Sequence, residues 1–147
     1  MNAENPFIEG PVNVSMPSST VIPVLEYPDV AAASAWLCNA FGFSERLRIG
    51  SHRTQLSAGT GAIVVTQAKG ANGMRFGEGY AVMVRVRDAD LHCEHARQAG
   101  ANVTSEPSSQ PYGERQYTAQ DHVGRSRVFS QTIGNVEPSA WGGELLI

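Results

Sequence analysis

Val24-Leu25-Glu26-Tyr27-Pro28-Asp29-Val30-Ala31 runs from a short β-favouring tetrad into an alanine-rich segment that stops at Gly42. Val82-Met83-Val84-Arg85-Val86-Arg87-Asp88-Ala89 does the same ahead of a stop at Gly100. The two aspartates, Asp29 and Asp88, lie 59 positions apart, and the glycines follow them by 13 and 12 positions. A unit of about half a domain that recurs once predicts two similar modules sharing one core. Asp29 is suited to cap the first helix, because its carboxylate accepts hydrogen bonds from free N–H groups at the positive helix end, and the second helix is expected over about 88–99. In the first helix Val30, Ala33, Trp36, Leu37, Ala40 and Phe41 form one apolar stripe, with Trp36 in the core. In the second, Ala89, His92, Cys93, Ala96 and Ala99 are expected to face the sheet.

Outward from these repeats, the first strand is expected over 20–27, and further strands over 44–49, 53–57 and 62–67. Gly50-Ser51 and Gly59-Thr60-Gly61 supply the turns. Residues 68–79, with Gly70, Gly73, Gly77 and Gly79, read as a linker. The second module predicts strands over 80–86 and 102–104, a proline-bearing loop over 105–113, and strands over 115–120 and 125–132. The last two flank the turn Asp121-His122-Val123-Gly124. The pattern is α+β, βαβββ twice: modules 20–67 and 80–132 in a single domain 20–134, an N-terminal arm 1–19 and a tail 135–147.

At 147 residues, 41% hydrophobic and 17% charged, the chain has the composition of one globular domain. A net charge of −3 argues against a nucleic-acid partner, which demands a basic surface. No apolar run approaches the ~20 residues of a membrane span, and the first residues lack a signal-peptide pattern, so no membrane is expected and the reading is cytoplasmic. Cys38 and Cys93 fit that reading as reduced core thiols.

The sequence resembles the vicinal oxygen chelate superfamily, the group of glyoxalase I, extradiol dioxygenases, fosfomycin-resistance enzymes and bleomycin-resistance proteins. The resemblance rests on the 24–31 stretch, Trp36-Leu37 and Ala40-Phe41-Gly42-Phe43. In the second half it rests on Val86-Arg87-Asp88-Ala89-Asp90, Ala96-Arg97-Gln98-Ala99-Gly100-Ala101 and Tyr112-Gly113-Glu114-Arg115-Gln116-Tyr117. Asp121-His122-Val123-Gly124 is similar to the family's hairpin at two of four positions, and 136–143 is similar to a C-terminal extension of one glyoxalase-like branch. The resemblance implies paired βαβββ modules forming a cupped eight-stranded open barrel with helices outside, a ligand in the concavity, and a homodimer.

It also implies a divalent metal held by His, Gln or Glu on inward strand positions. Registered on the repeated aspartates and the hairpin, those positions carry Ile22, Val64, Ala81 and Val128, none of which can ligate. A shift by one residue rescues no triad, Tyr80 being the only oxygen it brings. His92 and His95 share a helical face, but two ligands on an outer helix do not make a zinc site. His52 and His122 fall at a strand edge and in a turn, where exposure is expected. No metal and no cofactor is therefore expected.

What remains is a metal-free cup. Alternation places Ile22, Val24 and Glu26 on one face, matched by Ala81, Met83 and Arg85, with Ala62, Val64, Thr66, Ser126, Val128 and Ser130 completing the lining. Candidate ligand-binding residues are Glu26, Arg53, Gln55, Val64, Met83, Arg85, Tyr112, Arg115, Tyr117, Val128 and Trp141. Glu26 and Arg85 serve equally as a solvent-facing ion pair, Arg53 and Gln55 as an exposed strand face, and Arg115 as the holder of its loop. Trp141 either anchors the tail or covers a cavity. The leading expectation is a metal-independent, homodimeric small-molecule binder. The rivals are a lyase or dioxygenase with a shifted metal site, an acid–base enzyme using Glu26, and an interaction module using the arm and Trp141.

Overall fold

The computed structural model describes residues 11, 13–68 and 81–145. The glycine linker beyond residue 68, Tyr80 and most of the N-terminal arm lie outside the described residues. The chain forms two compact units, 1–74 and 75–147. Among the described residues no helix is long and apolar enough to cross a membrane.

Module one is β1 (Val24–Tyr27), α1 (Val30–Phe41), β2 (Ser44–Ile49), β3 (Arg53–Ala58) and β4 (Gly61–Gln67). Its sheet has the order β1-β4-β3-β2, with β1 parallel to β4 and the other pairs antiparallel. Asp29 starts the helix by accepting from Ala32 N–H at 3.0 Å, and Gly42 ends it at φ 81°, a conformation that a side chain resists. The buried helix stripe is Val30, Ala33, Ser34, Leu37, Ala40 and Phe41, packed with Leu25, Tyr27, Leu56, Ile63 and Val65. Trp36, expected in the core, is only half-buried and meets Phe41 edge-on at 5.1 Å, and Ser34 takes the inner place. Cys38, likewise expected in the core, is half-buried at the edge of the stripe.

Module two is β5 (Val82–Arg85), α2 (Ala89–Gln98), β6 (Asn102–Ser109), β7 (Glu114–Gln120) and β8 (Ser126–Thr132), followed by a 3-10 turn at Pro138–Trp141. The sheet order β5-β8-β7-β6 repeats the topology of module one, again with one parallel pair. Asp88 caps α2 through Leu91 N–H at 3.0 Å. The repeat in the sequence is thus a repeat of connectivity, down to the cap.

The two cores are filled differently. The inner face of α2 offers the small residues Ala89, Cys93 and Ala96, so the sheet supplies the bulk: Tyr117, Phe129 and Arg127 are essentially inaccessible. Arg127 pairs with the buried Asp121 at 3.5 Å, whose other oxygen accepts from Val123 and Arg125 N–H and fixes the hairpin turn. His92 rests its ring 4.4 Å from that of Phe129 and its Nδ1 against the Tyr117 hydroxyl. It is a packing histidine on the sheet side of α2.

The largest changes of boundary are at β1 and β6. The first strand begins at Val24 rather than residue 20, with the Pro23 carbonyl accepting from Val64 N–H at 2.9 Å. Residues 105–109, expected as loop, continue β6. Pro107 is accommodated because β6 is an edge strand and its ladder skips register between Ser105 and Ser108, where no N–H is required.

Candidate functional site

Each sheet has a face turned away from its helix, and cross-strand register identifies it. In module two Met83 opposes Val128, which opposes Thr118, and Arg85 opposes Ser130, which opposes Gln116. Glu114 and Thr132 form the last pair. On this face a chain of hydrogen bonds runs in one direction. The Tyr112 hydroxyl donates to Gln116 Oε1 (2.8 Å), Gln116 Nε2 to Ser130 Oγ (3.0 Å), and Ser130 Oγ to Glu114 Oε1 (2.6 Å). Arg85 Nη1 reaches Thr132 Oγ1 at 3.2 Å. The Ser130 hydroxyl, that of Thr132, and the charge of Arg85 hold the Glu114 carboxyl below its ordinary range, outweighing partial desolvation. Met83, 62% exposed, stands beside this polar row as an open apolar surface.

Tyr112 also supports the tail: its ring lies 5.4 Å from that of Trp141, which remains 44% exposed. Gly113, between Tyr112 and Glu114, makes this corner possible. Its φ is 86°, and a Cβ there would lie 2.6 Å from the Gly134 carbonyl oxygen. No larger residue lets the loop approach the end of β8 so closely.

In module one the corresponding rows are Val24, Val64, Gln55 and Leu47, then Glu26, Thr66, Arg53 and Ile49. Gln55 and Val64 are 3% exposed, whereas Val24 is 53% exposed. The register breaks between Glu45 and Leu47, and this irregularity turns Arg46 toward Gln55, where Arg46 Nη1 donates to Gln55 Oε1 at 2.5 Å.

Of the residues singled out from sequence, Met83, Arg85 and Val128 share one face of module two, close to the Tyr112 chain. Glu26, Arg53, Gln55 and Val64 share one face of module one. Arg115 and Tyr117 do not join them. Tyr117 opposes Phe129 beneath α2 with no exposed surface, and burial pushes its hydroxyl pKa upward. Arg115 forks onto Asp90 in the first turn of α2 at 2.8 and 2.9 Å and donates to Ser109 Oγ at 3.1 Å; it lowers the Asp90 pKa. Both lie on the helix side because they alternate with Glu114 and Gln116 and pair with Gln131 and Phe129, which face α2. Glu114 and Gln116 are the members of the polar row that sequence reasoning passed over.

A concavity of about 430 Å³ lies on the helix side of module one between α1 and β2. Glu45 organises it, accepting from Ser34 Oγ (3.3 Å), Thr54 Oγ1 (3.4 Å) and Arg48 Nε (3.2 Å), and the Arg48 contact lowers its pKa. Cys38 lines the same groove; burial, then the Glu45 charge, push its thiol up. A raised pKa lowers the thiolate fraction of Cys38, and the polar groups beside it are already paired.

The four positions expected from the sequence to face a metal carry no side chain that could ligate one. Val64 has Val24 and Gln55 as cross-strand neighbours, and Val128 has Met83 and Thr118. Ile22 and Ala81, just ahead of β1 and β5, add only hydrocarbon. Among the described residues no three His, Cys, Asp or Glu side chains converge.

TioX from Micromonospora sp. ML1 superposes on the chain with a TM-score of 0.65 at 30% identity, over 81% of this chain and 98% of that one. A glyoxalase/bleomycin resistance protein/dioxygenase family enzyme from Burkholderia phytofirmans PsJN shares the fold with a TM-score of 0.65 at 19% identity, over 76% and 96%. So does lactoylglutathione lyase from Agrobacterium tumefaciens, with a TM-score of 0.61 at 17% identity over 86% and 98%. No curated protein matches the sequence. Residues 23–125 match the family described as Glyoxalase/Bleomycin resistance protein/Dioxygenase superfamily. With twin βαβββ modules, one connectivity and this match across most of its length, the chain belongs to the glyoxalase/bleomycin resistance protein/dioxygenase superfamily.

Proposed function

We propose that this protein is a metal-independent binder of a small molecule, working as a cytoplasmic homodimer and sequestering its ligand on the sheet faces turned away from the helices. The observation that carries the reading is the set of hydrocarbon side chains at Ile22, Val64, Ala81 and Val128, where a metal-using relative needs Lewis bases. In their place stand an open apolar surface at Met83 and a few directional polar groups, Arg85, Gln116, Ser130 and Glu114, the usual mixture of a ligand site. Arg85 offers donors to an acceptor on the ligand, and ionised Glu114 accepts from a donor. Glu26, Arg53, Gln55 and Val64 take the equivalent part in module one, and Trp141 on Tyr112 borders the polar row.

The test is metal analysis by mass spectrometry on protein purified without chelators, followed by thermal-shift titration with nickel, zinc, manganese and ferrous ions. The expected result is substoichiometric metal and an unmoved Tm with every ion. A stoichiometric metal, or a Tm raised by one of them, overturns the reading and makes lyase and dioxygenase assays the next step. Sedimentation equilibrium checks the homodimer; a monomer at all concentrations refutes it.

A further inference from the structure

Residues 13–16 form a turn closed by Met16 N–H on the Asn13 carbonyl at 3.0 Å, with Ser15 N–H on Asn13 Oδ1 at 3.1 Å. The turn presents two consecutive carbonyl oxygens to the module-one face that points away from α1. Arg46 Nη2 donates to Val14 O at 2.6 Å and Gln55 Nε2 donates to Ser15 O at 2.8 Å. Arg46 Nη1 closes the circuit on Gln55 Oε1. Gln55 is nearly inaccessible, and a buried amide needs partners at both ends. Arg46 supplies the donor and the turn supplies the acceptor.

Side chains contribute little to this attachment. Val14 is 80% exposed, and Asn13, Ser15 and Met16 are exposed as well, so the segment is held through its main chain. Exposure along the row that holds Gln55 is uneven. Val24 on β1 is open, whereas Gln55 on β3, which the turn touches, and its cross-strand neighbour Val64 on β4 are closed. A segment tethered by two side chains, with Val14 open and Met16 only half covered, sits toward the low end of local stability.

We propose that Arg46 and Gln55 form a latch for main-chain carbonyl oxygens, and that residues 13–16 are a strap whose release opens Gln55 and Val64 to a ligand. The latch stands on these contacts alone; its service as a gate rests on the binding reading above.

Two readouts on the full-length chain separate the latch from the gate. Hydrogen–deuterium exchange is followed on peptides covering 13–17 in wild type, Arg46→Ala and Arg46→Lys. The expected result is exchange at least ten-fold faster in Arg46→Ala, with the amides of α1 unchanged and Arg46→Lys intermediate, since lysine keeps the charge but not the fork. Equal exchange in wild type and Arg46→Ala overturns the latch. Should Arg46→Ala also loosen α1, Arg46→Lys carries the comparison by the same criterion. The gate is read by iodoacetamide labelling of Val64→Cys, with peptide mapping, in Arg46 and Arg46→Ala backgrounds. Labelling at position 64 is expected to rise about ten-fold, with Cys38 as the unchanged internal control. Faster strap exchange with unchanged labelling overturns the gate alone and leaves the binding reading to the metal titration and a ligand screen.

Discussion

The Ser130 hydroxyl donates to the Glu114 carboxylate at 2.6 Å while accepting from Gln116, so a nearly inaccessible serine links two polar side chains of the neighbouring strand. Removing that hydroxyl leaves both partners short. Ser130→Ala is expected to cost about 1–3 kcal/mol, measured by urea unfolding at pH 7. A loss indistinguishable from zero would mean that water serves these groups equally well.

The same pair sets an acid dependence. The Glu114 pKa is lowered on folding, by Ser130 first, so its contribution is complete above the unfolded glutamate value and disappears as pH falls through the lowered one. Because Glu114 is partly solvated, the contribution is within about 1 kcal/mol. Stability of wild type relative to Glu114→Gln, followed from pH 7 down to pH 3, is expected to shrink toward the acid end. A difference that grows on acidification contradicts the assignment.

Arg127 and Asp121 are the costlier pair to disturb. Both side chains are essentially without solvent contact, and loss of the guanidinium removes a cation that faces a buried carboxylate, which also holds the turn before β8. Arg127→Met is expected to destabilise by about 3–5 kcal/mol in urea unfolding. Restoration of most of that loss in Arg127→Met/Asp121→Asn would identify the carboxylate charge as the cause.

Two glycines with nearly the same backbone angle separate conformation from crowding. Gly42 at φ 81° has open space where a Cβ would stand, whereas at Gly113, φ 86°, the Gly134 carbonyl oxygen is 2.6 Å away. Gly42→Ala is expected to cost about 1 kcal/mol, the left-handed backbone alone. Gly113→Ala should cost clearly more and shift the Trp141 fluorescence, because the corner carrying Tyr112 must move. Equal costs would refute the clash.

The modules were legible because their punctuation is local. Asp29 and Gly42 bracket a helical stripe, Asp88 caps the second helix, and the Asp121–Gly124 turn sets a hairpin. The boundary of β6 was not, because Pro107 reads as a break in any strand until it is known to lie at an edge and in an irregular register. That loop reading hid Glu114. A signal was available: a tight turn that pairs Gln120 with Ser126 places Tyr117 opposite Phe129, beneath the helix, and leaves Gln116 opposite Ser130. The half-burial of Trp36 and the burial of Ser34 had no such signal, since the greasier residue lost its place to a serine that bonds Glu45 across the groove. Hydrogen bonds between segments distant in sequence, such as Arg46 with Val14, leave no periodic trace at all.

Pro107 and the two register breaks of β6 also determine how copies of this chain meet one another. A regular outer strand is a template on which a further strand from another molecule adds, and filament growth follows when the addition repeats. Here the outermost strand is missing a donor at the proline, and its ladder slips between Val103 and Ser105 and again between Ser105 and Ser108, across the proline. Strand addition along that edge is disfavoured by the backbone itself.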